Sequence, residues 1–153
     1  MKAEVPDTPA GLKGRALRLL ARREHSRAEL ARKLAPHAES PEGLAQLLDA
    51  LAAKRQLSDQ RYAEERVRRL ARKYGAARIR QDLLAKGISA DTAARLSAAS
   101  GQDDVERARA ILERKYRAPA TTIEERARRA RFLQSRGFSS AVVRTLLSSR
   151  DTE

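Results

Sequence analysis

Apolar residues recur at intervals of three and four along most of the chain, and short polar strings interrupt them. The first stripe, Leu17, Leu20 and Ala21, predicts a helix that starts near Gly14. Ser26 and Glu29 have capping-box spacing, hydroxyl and carboxylate each meeting a free backbone N–H, and Leu30 and Leu34 give the second helix its inner face. Ser40-Pro41 opens a third, with Leu44, Leu47, Leu48 and Leu51 inward. A fourth begins at Ser58-Asp59 and carries Tyr62, Ala63, Val67 and Leu70. The fifth, after Gly75, turns Ile79, Leu83 and Leu84 inward, and the sixth, capped by Ser89, buries Ala93 and Leu96. Asp103 with Glu106 opens a seventh helix bearing Val105, Ala108, Ile111 and Leu112. Thr121 with Glu124, or Thr122 with Glu125, opens an eighth bearing Ile123, Ala127, Ala130 and Leu133. Ser139 caps a ninth with Val142, Leu146 and Leu147 inward. No run alternates β-branched and polar residues, so no sheet is expected.

The interruptions repeat. Lys86-Gly87-Ile88-Ser89 returns fifty residues later as Arg136-Gly137-Phe138-Ser139, and Leu83 and Leu96 answer Leu133 and Leu146 at the same spacing. Glycine suits the left-handed position just past a helix end. Leu30 and Leu34 align with Ile79 and Leu83 at a spacing of 49, without the basic-glycine step. The reading is an all-α array of three tandem three-helix repeats: residues 13–56, 57–100 and 101–150. A disordered extension, residues 1–12, precedes them, and 150–153 fray. Arrays of this kind offer an extended surface rather than one enclosed pocket.

Charge says what that surface meets. Charged residues make up 35% of the chain and aromatics 3%, with a net charge of +13. The excess is even: +4 in residues 1–56 (11 basic, 7 acidic), +5 in 57–100 (10 basic, 5 acidic) and +4 in 101–153 (12 basic, 8 acidic). A positive field over the whole length attracts polyanions. With no cysteine, disulfides and thiolate metal sites are excluded. No apolar run approaches the roughly 20 residues of a membrane helix, and the N-terminus has no signal-like apolar segment. A cytoplasmic monomer without a cofactor is expected.

The string from Ala16 to Leu30 (ALRLLARREHSRAEL) resembles the opening of RecX, the bacterial recombination regulator. Leu57-Ser58-Asp59 with Tyr62-Ala63, Gly75 to Arg78-Ile79 with Leu83, Lys86-Gly87-Ile88 and Arg136-Gly137-Phe138-Ser139 extend the resemblance in the same order over residues 14–149. It implies an elongated, curved array of three tandem three-helix repeats that binds the RecA filament on single-stranded DNA, lies along its groove and inhibits its ATPase and strand exchange. Some members of the family also bind DNA directly, so single-stranded and double-stranded DNA are both candidate partners. The residues alone leave another reading open, a sequence-tolerant DNA- or RNA-binding module with no RecA partner.

The densest basic run contains Arg66, Arg68, Arg69, Arg72 and Lys73, followed by Arg78 and Arg80. Arg69, Arg72 and Lys73 share one face by helical spacing. Their predicted role is contact with DNA phosphates or acidic groups of the filament; the plain alternative is a solvated face paired with Glu64 and Glu65. Arg126, Arg128, Arg129, Arg131 and Arg136 form a second group that surrounds its helix, and Arg22, Arg23, Arg32 and Lys33 a third. From these groups the expected contacts are Arg66, Arg69, Arg72, Lys73, Arg78, Arg80, Arg126, Arg129 and Arg136. His25 beside Ser26 reads as a cation suited to a helix end rather than a catalyst. No phosphate-loop motif is present, and no constellation of an enzyme emerges. Tyr74 is the one aromatic placed by sequence beside the positive run, where base stacking is possible.

Overall fold

A computed structural model of the protein describes residues 5–148, so residues 1–4 and the fraying expected at 150–153 lie outside it. Among the described residues there are nine α-helices and no strand: α1 Pro9–Arg22, α2 Arg27–Leu34, α3 Pro41–Ala53, α4 Asp59–Leu70, α5 Ala76–Ala85, α6 Ala90–Gly101, α7 Asp104–Lys115, α8 Ile123–Ser135 and α9 Ser140–Leu147. The serine caps form as their positions dictate. Ser26, Ser40, Ser58, Ser89 and Ser139 each accept a bond from the backbone N–H three residues on. At the start of α8 the second alternative wins, because Thr122 accepts from the Glu125 amide while the Glu125 carboxylate accepts from the Thr121 amide. Asp103 makes no side-chain cap; the carboxylate that matters is Asp104, one residue later.

Three small cores succeed one another. Leu12, Ala16, Leu30, Leu34, Leu44, Leu48 and Leu51 make the first, and Leu57 closes it. Tyr62, Ala63, Ile79, Leu83, Ile88 and Ala93 make the second, and Ala108, Ile111, Leu133, Phe138 and Val143 the third. The accessible surface is 10223 Å², well above the roughly 7,700 Å² of a compact protein of this mass. This is the surface of an extended array. Several registers differ from the sequence reading. α1 starts at Pro9, not near Gly14, because Thr8 caps it, and its buried face is Leu12 and Ala16. Residues 9–12, expected to be disordered, are therefore helical. Leu84 and Ile123 face outward, at 42% and 79% exposure. A stripe of three apolar residues is wider than the strip these short helices bury.

The units meet through polar bonds to main-chain atoms. Where units 1 and 2 join, the Arg27 amide donates to Asp59 Oδ1 at 2.7 Å and Ser26 Oγ donates to the Lys86 carbonyl at 2.9 Å. The next junction repeats the pattern with other residues. The Ala76 amide donates to Asp104 Oδ2 at 3.0 Å, and the Gly75 amide donates to the Arg136 carbonyl at 2.8 Å. In each case the start of a middle helix sits between the first-turn aspartate and the glycine turn of the following unit. The approach leaves no space. A Cβ on Gly87 would lie 2.4 Å from Ala28 Cβ, and one on Gly137 would lie 2.4 Å from Arg78 Cβ and 2.6 Å from its amide nitrogen. Both glycines also have positive φ, 84° and 88°, a region other residues enter at a cost.

The corresponding carbonyl in unit 1 belongs to His37 and accepts from the Asp7 amide at 2.8 Å. Asp7 is tied in turn to Arg15 Nε at 2.7 Å. Residues of the leader thus occupy the place that a preceding unit takes elsewhere. No middle helix presses on this turn, and Ala38 with φ −83° stands where the others have glycine. We expect Gly137→Ala to destabilise the protein by at least about 2 kcal/mol in urea unfolding, whereas Ala38→Gly should cost under about 1 kcal/mol.

Candidate nucleic-acid interface

The basic run of unit 2 does not form one patch. α4 ends at Leu70, where the chain turns so that Gly75 can dock, and Arg72 and Lys73 lie in that turn. Arg69 lines the cleft between units 1 and 2 with Arg66 and Lys86. Arg72 lines the cleft between units 2 and 3 with Arg107 and Arg114. Cations therefore gather at the junctions on both sides of unit 2, interspersed with Glu24, Glu29 and Glu65 in the first cleft and with Glu113 in the second.

Not all of these cations are available. Arg66 is held by Asp82 through two bonds, at 2.8 and 3.0 Å, and not by Glu64 or Glu65. Its charge is committed, and Asp82 raises its affinity for the proton further. Glu64 accepts instead from Gln60. Arg78 donates to the Ser135 carbonyl at 2.9 Å and so helps fasten unit 2 to unit 3. The side chains of Arg69, Arg72, Lys73 and Arg80 are exposed and make no hydrogen bond or ion pair among the described residues. In the third group all four residues are exposed, but Arg23 is paired with Glu29 at 2.7 Å and Lys33 stands beside His25.

From the junction of units 2 and 3 into unit 3, cations and rings alternate, the Tyr74–Arg136 step crossing between the units. Arg78 lies 4.5 Å over the Tyr74 ring, and Arg136 stands between Tyr74 and Phe132, at 5.5 and 5.1 Å. Lys115 stands between Phe132 and Tyr116, at 3.9 and 5.7 Å, and Arg129 closes the series 4.4 Å from Tyr116. All three rings are half-buried, whereas Tyr62 and Phe138 are core residues. A cavity of about 460 Å³ opens beside Tyr116, lined also by Arg109, Arg117, Arg126 and Arg129. The sequence pointed to Tyr74 but not to the consecutive Lys115, Tyr116 and Arg117, nor to Phe132, which reaches Lys115 and Tyr116 only in the folded chain.

Family comparisons follow this architecture. Residues 13–42, 58–95 and 102–147 match the first, second and third three-helix domains of RecX. A Regulatory protein RecX of Leptothrix cholodnii is 51% identical over 142 residues, spanning 93% of this chain and 90% of that protein. The chain belongs to the RecX family. A Regulatory protein RecX of Ralstonia nicotianae is 44% identical over 147 residues, spanning 96% of this chain and 92% of that one. The crystal structure of RecX from Lactobacillus salivarius shares the fold, with a TM-score of 0.73 over 94% of this chain and 96% of that one, at 21% identity. No helix among the described residues is long and apolar enough to cross a membrane.

One feature of this RecX chain departs from its sequence reading. His25 is not a cation at a helix end: it is 1% exposed, in the loop between α1 and α2. Burial disfavours its charged form and lowers its pKa; the bond to the Arg23 carbonyl opposes this, and the nearby Arg23 and Lys33 charges add to the lowering. Nδ1 lies 3.1 Å from the Arg23 carbonyl and Nε2 lies 3.1 Å from Lys33 Nζ. The Lys33 ammonium has only donors, so Nε2 must accept and the ring is neutral with its proton on Nδ1. Glu29 completes the group. Burial is the largest single influence and opposes its charge, but the Arg23 hydrogen bond and the nearby positive charges together outweigh it and keep its carboxyl below the usual range. Because the folded state lowers the histidine's proton affinity, its contribution to stability is intact above the unfolded value near 6.5. It is lost as pH falls below that value. The urea midpoint should drop between pH 7 and 5.5, and His25→Asn should flatten that slope.

Proposed function

We propose that this protein binds the RecA filament on single-stranded DNA and lowers its ATP hydrolysis and strand exchange. The observation that carries this reading is the match over nearly the whole chain to proteins named Regulatory protein RecX, all three helical domains included. It is a binding and regulatory role, not an enzymatic one. The chemistry of the surface supports it. Each junction offers a cleft lined with cations, so a polymer carrying regular negative charge meets the array at more than one place. Contacts at linked sites add, because once one is made the next is intramolecular. An array laid across adjacent filament subunits would hold them together and hinder the motions that hydrolysis requires, while covering the path of a second DNA strand.

Within this reading, Arg69, Arg72, Lys73 and Arg80 are the contact residues of unit 2, as their charges are not committed to partners among the described residues. Arg66 and Arg78 have a second task, holding α5 and the next unit in position. Arginine suits the contact, as its planar donors engage phosphate or carboxylate in pairs. Titrating the protein against RecA ATPase on single-stranded DNA tests the proposal. The parent chain should inhibit at well below one copy per RecA. Replacing Arg69, Arg72 and Lys73 together with glutamine should weaken inhibition about tenfold with an unchanged thermal midpoint. Equal potency of parent and variant would remove these residues from the interface; no inhibition by the parent would defeat the proposal.

A further inference from the structure

Unit 3 breaks the pattern of the other two units at one core position. The glycine turns fix the register of the middle helices: the Ile88 amide donates to the Leu83 carbonyl at 3.0 Å, and the Phe138 amide donates to the Leu133 carbonyl at 3.1 Å. One turn before Leu83 stands Ile79, and Leu30 holds the same place in unit 1; both are fully buried. In unit 3 that place, fifty residues after Ile79, belongs to Arg129. The connection before α8 also differs. It takes seven residues, 116–122, where units 1 and 2 use four (23–26) and five (71–75). Between this connection, α7, α8 and α9 lies the cavity of about 460 Å³. A charged residue at a position that elsewhere fills the core costs stability, and such departures mark functional sites.

The lining of the cavity selects its ligand. Leu112, Pro119, Leu146 and Leu147 make aliphatic walls. Arg109 is committed to Glu106 at 2.5 Å. Arg129 donates one bond to the Ala118 carbonyl at 2.8 Å, which leaves most of its five N–H donors unused. Arg117 is exposed at the rim and has no partner among the described residues. Two guanidinium groups thus face leucines. The Tyr116 ring already carries Arg129 and Lys115, so no face is left for a base. We propose that this cavity binds an acidic segment of a protein partner, its carboxylate meeting Arg129 and Arg117 while a neighbouring aliphatic side chain enters among the leucines. This goes beyond the filament reading, as it assigns unit 3 a protein ligand. Arginine holds a carboxylate through paired N–H bonds, and aliphatic walls reward an aliphatic side chain but not a phosphodiester backbone. Glu113, also in the lining, adds to the choice. One carboxylate can turn from it toward the arginines, whereas a run of phosphates cannot.

The probe is a fluorescein-labelled peptide with one leucine between two aspartates, titrated with the full-length protein at physiological salt and read by anisotropy. Arg129→Leu restores the apolar residue of the other units. It should weaken peptide binding about tenfold and raise the thermal midpoint by a few degrees, a pairing that a merely structural arginine does not give. Arg117→Gln, which disturbs no internal bond, should weaken binding severalfold at an unchanged midpoint. Arg128→Gln, exposed on α8 outside the cavity, should change it less than about twofold. Serine in place of the peptide's leucine should cost about as much as Arg129→Leu. Unchanged affinity in both cavity variants, an equal loss in Arg128→Gln, or indifference to the peptide's leucine would each overturn the site. So would a lowered midpoint in Arg129→Leu. An oligothymidine affinity that falls as far as the peptide's in Arg129→Leu would assign the cavity to nucleic acid, and self-association abolished by that variant would assign it to a second copy; either result defeats the proposal. A RecA ATPase indifferent to the parent chain would defeat the filament reading and leave this site standing.

Discussion

The start of each middle helix is the point on which the array depends. A helix begins with backbone N–H groups that lack partners. At Arg27 and at Ala76 one of these groups is satisfied by an aspartate of the next unit, Asp59 or Asp104. An obligatory requirement of one unit is thereby met only by the other. The glycine turn supplies the second half of the joint: its carbonyl accepts from Ser26 or Gly75, and its missing side chain lets the turn lie against Ala28 Cβ or against Cβ and the main chain of Arg78. None of this needs a shared hydrophobic core, and the three cores are separate.

Separate cores have consequences for the surface. Each unit buries only five to eight principal apolar residues, so most of its side chains remain available to solvent or to a partner. The joints are polar, and the cations that surround them serve two purposes. Some are committed to holding the joint, as Arg78 is to Ser135 and Arg107 is to the Tyr74 carbonyl and Asp104. Others project into the clefts without a partner among the described residues, as Arg69 and Arg72 do. The placement of charge is thus a by-product of how the units are fastened, and the clefts inherit their sign from it.

Local chemistry was legible in the sequence wherever its cause was local. Serine caps and left-handed glycines act within three or four residues, and they stand where spacing alone located them. The three-helix grouping followed from them. Choices that depend on a distant neighbour were not legible. Leu84 and Leu83 are equally apolar, and only packing decides that Leu83 goes inside. Asp103 and Asp104 are equally good caps on paper, yet Asp104 is buried because Ala76, 28 residues away, supplies its donor. The same holds for the cations. A count of arginines cannot tell that Asp82 holds Arg66 or that Tyr74 and Phe132 flank Arg136. It could not have placed Phe132 against Lys115, or Arg129 over the Tyr116 ring.

The two left-handed glycines make the distance between units a property of the main chain. Backbone atoms cannot be resized by mutation as a leucine can, so the pitch of this protein is written in bond lengths and torsions. Its outward side chains are free to drift while the interval between successive clefts stays constant. Such a molecule behaves as a ruler, suited to reading a target whose own subunits recur at a set interval.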